Sequence, residues 1–286
     1  MLTNIKERLE QVVNNLGQLP SIPDVAGKVI NMVNDPESSF NQIALEISKD
    51  QAITTNVLKL CNSAYFSRGK EILSVERATV TLGIKEVKDI VFVAATKSIL
   101  DKEIIGYDLA KGDLWKHGLS VAVLSKQIAL LKKKVDIADI AFTGGIIHDV
   151  GKTVLALYVQ SAFKEILSLV DSKQISFQMA EKEIMGFDHQ EIGEKILSKW
   201  SFPQILKDIV RYHHEPESAP ADSKLIVSIV HIANVICLMG GIGIGSDGLY
   251  HQLSDAAIQT VGLKETELER IYANLPDIVN QASAIQ

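Results

Sequence analysis

The chain has 286 residues, 47% of them hydrophobic and 22% charged, with a formal net charge of −6. That is ample apolar material for one large core or two ordinary ones, and the negative balance argues against a general surface for nucleic acid or other polyanions. No uncharged apolar run approaches the roughly 18 residues needed to span a bilayer, and the charged, amphipathic start MLTNIKERLEQVVNNL is no signal peptide.

Cys61 and Cys237 lie far apart in apolar stretches and form neither a disulfide framework nor a CxxC site. Buried free thiols in a reducing, cytoplasmic setting are expected. Apolar residues recur with the helical period nearly everywhere, and no stretch alternates two by two. The expected fold is therefore all-α.

An opening helix runs to about Asn15, followed by the extended linker Leu19-Pro20-Ser21-Ile22-Pro23 and a helix from about Asp24 to Val33. Asp35-Pro36 breaks it. Ser39 is placed to cap the next helix, with Ile43 and Ile47 on one face. Asp50 opens another, which turns Ile53, Val57 and Leu60 inward and ends at Cys61-Asn62-Ser63-Ala64-Tyr65-Phe66. Ser74 caps SVERATVTLG, Gly83 stops it, and a helix from Lys85 to Leu100 closes this section. The last two helices mimic a DNA-binding helix-turn-helix, but KEVKDIVFVAATKSIL is too apolar for a major groove. We place the division in the relaxed pattern after Asp101, giving an N-terminal helical section at 1–105 and a second helical section at 106–286.

The second section starts with a helix at Asp113–Leu131, then the solvated loop Lys132-Lys133-Lys134 and a helix from Asp139 to Ile147. Helices follow at about 153–170, 176–183, 189–200, 203–213 and 223–239. The stretch GGIGIGSDG, residues 240–248, follows a helix rather than a strand, so it reads as a flexible turn and not a dinucleotide loop. One or two terminal helices run from Ser254.

The chemistry centres on His148-Asp149, an imidazole beside a carboxylate within GGIIHDVGK. Both side chains ligate divalent metals when partners converge on them. His117 shares a helical stripe with Val121, Leu124, Ile128 and Leu131. His189 opens a stripe through Gly193, Ile196 and Trp200. His213 and His214 end a helix, and side chains on adjacent helical residues diverge by about 100°, so they address different sides of one site or different ions. His231 and Asn234 stand one turn apart. Five of the seven histidines thus sit on inward stripes or at helix ends, which together points to a metal site.

The order His117, His148-Asp149 and a late acidic-type position resembles the HD superfamily of metal-dependent phosphohydrolases. The longer series with Lys152, His189 and His213-His214-Glu215 is similar to the HD-GYP subgroup, which hydrolyses cyclic di-GMP. The whole chain most resembles an HDOD protein. Leu19-Pro20-x-Ile22-Pro23, Asn62-Ser63-Ala64-Tyr65-Phe66 and Ser74-Val75-x-x-Ala78-x-x-x-Leu82-Gly83 carry the N-terminal signature. Phe187-Asp188-His189, Trp200-x-x-Pro203 and His213-His214 carry the later one.

That resemblance implies a multi-helix bundle, with an HD-like core preceded by an N-terminal helical section, and a role in bacterial signalling or regulation. Two departures stand out. No Gly-Tyr-Pro follows His213-His214-Glu215, and Asn234 stands where HD enzymes carry a final metal-binding Asp. An amide oxygen is a weaker, neutral ligand, which leaves Asp149 as the one certain carboxylate. The implied ligand set is His117, His148, Asp149, His189, His213, His214 and Asn234. It would take one or two ions of iron, manganese, zinc or nickel.

Two functions follow. In the first, a regulatory module binds a metal or a small phosphorylated ligand and engages a protein partner in trans, with no role at membranes or nucleic acid. In the alternative, a metal-dependent phosphohydrolase acts on a nucleotide or cyclic dinucleotide, with Asp149 and Lys152 as its catalytic residues and Lys152 steadying the substrate phosphate.

Overall fold

The computed structural model describes residues 28, 29, 32, 37–67, 69, 71–248 and 250–285. The expected opening helix, the proline linker and the Asp35-Pro36 break lie outside them. Of the expected helix at 24–33, Lys28, Val29 and Met32 are described, and they are helical. Fourteen α-helices, three 3-10 turns and no strand occur among the described residues, an all-α fold. No single helix among them is long and apolar enough to cross a membrane.

The chain divides into two compact units, one of Pro20–Ile99 with Val279–Gln286, the other including Leu100–Ile278. In the first unit, α1 (Phe40–Ile47) begins with a capping box in which Ser39 and Gln42 satisfy each other's backbone N–H groups. α2 (Gln51–Cys61) starts at Asp50, whose Oδ1 accepts from the N–H groups of Ala52 and Ile53 at 2.9 and 3.0 Å. Each cap is worth about 1 kcal/mol.

The stripe residues Ile43, Ile47, Ile53, Val57 and Leu60 are buried. The turn after α2 is held by Asn62, whose amide donates to the Ile72 carbonyl at 2.7 Å and accepts from the Ile72 N–H at 2.8 Å. Ser74 caps α3 (Val75–Leu82), which stops at Gly83 with φ of 89°. α4 (Ile84–Leu100) buries Val87, Ile90, Val91, Phe92, Val93 and Ala94. It is a packing helix over most of its length.

In the second unit α5 (Asp113–Leu131) and α6 (Val135–Ile147) form the most intimate pair. A β-carbon on Gly118 would strike the Ile146 carbonyl, and one on Gly145 would strike the Ala122 backbone. Glycine at both places lets the two backbones touch, which brings the His117 and His148 rings to 5.3 Å. α11 (Lys224–Met239) packs on both helices. Around them stand α7 (Lys152–Lys173), α8 (Phe177–Met185), α9 (His189–Lys199) and α10 (Gln204–Tyr212). α12 (Asp255–Val261) lies against α11, and α13 (Glu265–Ala273) and α14 (Leu275–Ser283) end the chain.

Three expectations need correction. α6 starts at Val135 rather than Asp139, directly after Lys133 turns the backbone with φ of 57°. Leu131, assigned to the inward stripe, is 43% exposed because the last turn of α5 runs past the core. Residues 240–248 are no free turn: Ile242 and Asp247 are buried, and Ser246–Gly248 form a 3-10 turn.

Candidate metal centre

Three helix ends and one helix face aim imidazoles at a common interior. His148 caps the C-terminus of α6, and its Nδ1–H donates to the Gly145 carbonyl at 2.8 Å. His213 does the same at the end of α10, with Val210 at 2.9 Å. The last carbonyls of a helix lack partners within it, so a histidine at that position fixes its own ring. On α5, His117 donates from Nδ1 to the Ile242 carbonyl at 2.9 Å.

His189 is the first residue of α9, held there by the Asp188–Glu191 capping box. Its Nδ1–H donates to Glu181 Oε2 at 2.8 Å, and the other Glu181 oxygen accepts the Tyr107 hydroxyl at 2.5 Å. In all four rings the Nδ1 proton is committed, so in the neutral ring Nε2 keeps its lone pair for a ligand.

These rings, with His214, form two groups of potential ligand atoms around Asp149. His117, His148 and Asp149 make one, and Asp149, His189, His213 and His214 make the other. Asp149 Oδ2 is 3.3 Å from His148 Nε2 and 3.9 Å from His117 Nε2. Asp149 Oδ1 is 3.5 Å from both His189 Nε2 and His213 Nε2. His117 Nε2 also faces Asn234 Oδ1 at 2.9 Å, and His189 Nε2 faces His214 Nε2 at 3.1 Å.

With the Nδ1 proton given to Ile242, His117 Nε2 presents a lone pair 2.9 Å from the Asn234 amide, which meets it either through an amide N–H or across a shared cation. Ligand atoms about 2.1 Å from a common ion stand about 3.0 to 3.4 Å apart in octahedral or tetrahedral arrangements, close to most of the separations here. His148 Nε2, His213 Nε2 and Asp149 Oδ1 are moreover buried without a hydrogen-bond partner. Orphaned buried polar atoms are rare unless a ligand completes them. The residues present therefore fit a metal.

The electrostatics agree. Burial, reinforced by the neighbouring imidazole of His148, depresses the pKa of His117 to about 4. Burial brings His213 to about 3 and holds His214 well below the usual value, with His213 and His251 adding to it. These rings stay neutral, as ligands must be. His189 is the exception: burial lowers it, but the Glu181 carboxylate outweighs that and raises it. Burial would raise Asp149, yet His148 and Lys152 hold its carboxyl well below the ordinary range.

Lys152, on the first turn of α7, donates to Asp149 Oδ2 at 2.6 Å and to Asp247. Burial opposes its charge, and the two carboxylates reverse this and keep it protonated. A cavity of about 420 Å³ reaches the second group of ligands, bordered by His214, His251, Tyr250, Gln178, Met179 and Gln252.

Residues 19–216 match the model of the HDOD domain family. The chain belongs to that family. Over 97% of its length this HDOD chain is similar to a crystal structure of an HDOD domain protein of unknown function from Geobacter sulfurreducens, at 26% identity, a TM-score of 0.75 and 98% coverage of that chain. A protein from Shewanella amazonensis SB2B, named as a proposed phosphohydrolase, shares the fold at 23% identity and TM-score 0.72, with 96% of each chain covered. The curated relative it matches is an uncharacterized protein of Treponema pallidum (strain Nichols), 23% identical over 226 residues. That match takes in 78% of this chain and spans 43% of the relative's length.

The structure of this HDOD chain brings all seven residues of the implied ligand set together, with Asn234 reaching the centre through His117. His231 faces elsewhere: Nδ1 donates to the His213 carbonyl at 2.8 Å and Nε2 accepts from the Ser254 N–H at 3.1 Å. Asp149 is not alone, because sequence reasoning missed the buried carboxylates of Glu181 and Asp247. Glu181 sits in MAEKEIM, where it reads as part of a solvated charge run. Asp247 is hidden in the glycine-rich stretch. His251, stacked on His214 at 4.8 Å and 16°, was missed as well.

Proposed function

We propose that this protein is a cytoplasmic bacterial regulatory module. Its second helical unit holds one or two divalent ions, responds to a small phosphorylated ligand, and passes that state to a protein partner. The observation that supports this reading is the sharing of Asp149 between two groups of imidazole nitrogens, with orphaned buried atoms in each. His117, His148, Asn234 and Asp149 Oδ2 would hold one ion; His189, His213, His214 and Asp149 Oδ1 the other. The imidazole-rich set suits iron, zinc or nickel, and the carboxylate and amide oxygens admit manganese.

Regulation is favoured over turnover by what surrounds the first group. Its fourth member is a neutral amide. Lys152, the cation placed to meet a phosphate, is already bound by two carboxylates, and the group is buried. The second reading, a phosphohydrolase, is favoured by the paired ligand sets, since two adjacent ions on one carboxylate are a common arrangement for phosphoryl chemistry. Ions there would supply Lewis acidity toward a phosphoryl oxygen. The protein's own part is to keep four imidazoles in one tautomer, to hold Asp149 ionised, and to hold the proton on Lys152 Nζ.

The test is elemental analysis of the purified protein, followed by phosphatase and cyclic-dinucleotide assays with added iron or manganese. Stoichiometric metal without turnover is the expected result. Turnover abolished by Asp149→Ala would establish the enzyme instead, and absence of metal under all loading conditions would sink both readings.

A further inference from the structure

Residues 242–248 lie across the first ligand group as a strap, fastened at points that all involve the centre. The Ile242 carbonyl accepts the Nδ1–H of His117. The Asp247 side chain accepts from Lys152, and the Asp247 carbonyl meets His251 Nε2 at 2.6 Å, with the His251 ring stacked on His214. The composition serves that placement. A β-carbon on Gly243 would collide with α5 at Asp113 and His117, and one on Gly245 with the Tyr107 carbonyl. Only glycine lets the backbone lie this close to both, and the closeness delivers Asp247 to a lysine that is 4% exposed.

We propose that Asp247 is an internal substitute for the phosphate group of a ligand, and that phosphate displaces it and releases the strap. The proposal rests on the metal-centre reading. Ions on Asp149 would draw that carboxylate's charge to themselves, leaving Asp247 as the principal counter-charge of a buried ammonium, which must keep one. A phosphate oxygen beside the ions would supply that charge and also repel Asp247 at short range in a poorly screened interior. Tyr250 and His251, just beyond the strap, line the cavity that reaches His214, so a ligand arriving there meets the strap's far end. A carboxylate released from Lys152 gains hydration. The strap continues from α11, whose Asn234 contacts His117, so its release couples ligand binding to the backbone of a core helix.

The experiment uses the full, metal-loaded chain and inorganic phosphate as the probe. Calorimetric titration of Asp247→Asn is expected to show phosphate binding about tenfold or more tighter than in the natural chain, the factor expected of a site open in a tenth of molecules or fewer. The double variant Asp247→Asn with Lys152→Met is expected to lose that gain. In the natural chain, phosphate is expected to speed amide hydrogen exchange across 242–248 while α5 and α6 keep theirs. Equal phosphate affinity in the natural chain and Asp247→Asn overturns the proposal, as does phosphate that binds without altering exchange, or that fails to bind. Should Asp247→Asn not fold, the exchange measurement on the natural chain decides alone. Metal content is read on every sample: with metal present these null results sink the strap only, and with metal absent they sink the metal centre beneath it.

Discussion

The two ligand groups share a carboxylate but differ in their surroundings. The first, His117, His148 and Asn234, is buried, is covered by the strap, and has a neutral amide as its fourth member. The second, His189, His213 and His214, borders a cavity of about 420 Å³ and is backed by Glu181, which carries the Tyr107 hydroxyl on its other oxygen. One group is built for retention, the other for access. A carboxylate behind an imidazole raises its basicity and its hold on a metal, and the fully enclosed group has only backbone carbonyls in that position. The group beside the cavity therefore receives the stronger electrostatic support.

The severest way to break this comparison is Asp149→Ala, which removes the shared carboxylate. Metal content by elemental analysis is expected to fall to zero. Stability in the metal-free state is expected to drop by about 1.5–3 kcal/mol, because Lys152 loses one of its two buried carboxylate partners, a loss readable in denaturant titration. A stable, metal-replete Asp149→Ala protein would contradict the geometry.

Next in size, His189→Ala is expected to halve the metal content of the fully loaded protein and His117→Ala to remove the other half. Loss of all metal in both variants would show that the groups act as one site. Glu181→Gln keeps the hydrogen bond to His189 but removes its charge; metal affinity of the second group is expected to fall by about 10- to 100-fold, with the first unaffected. The smallest effect is expected from Asn234→Asp, which adds a charge to the neutral corner and is expected to tighten metal at the first group by about tenfold. No change there would mean that Asn234 serves only to orient His117.

Much of this was legible in the chain. The caps Ser39, Asp50 and Ser74, and the stop at Gly83, fall where short-range rules put them, because a cap is a contact between residues two or three positions apart. The histidines of the two groups stand out in the chain by their stripes and helix ends, since placing a ring on a helix face needs only the helical period. Glu181, Asp247 and His251 were not found. Their partners lie 8, 95 and 37 residues away, and nothing in MAEKEIM or GGIGIGSDG marks a carboxylate as buried.

The sequence by itself determined the all-helical class, the side-chain caps at Ser39, Asp50 and Ser74 and the identity of the imidazoles, because each depends on local periodicity or on neighbours within one turn. Tertiary structure alone decided that Asp149 divides its two oxygens between two groups, that Lys152 faces another carboxylate, and that a glycine-rich stretch covers the centre. Those facts depend on how closely distant backbones approach. That distance is set by packing at Gly118, Gly145, Gly243 and Gly245, where what matters is the volume a side chain does not occupy.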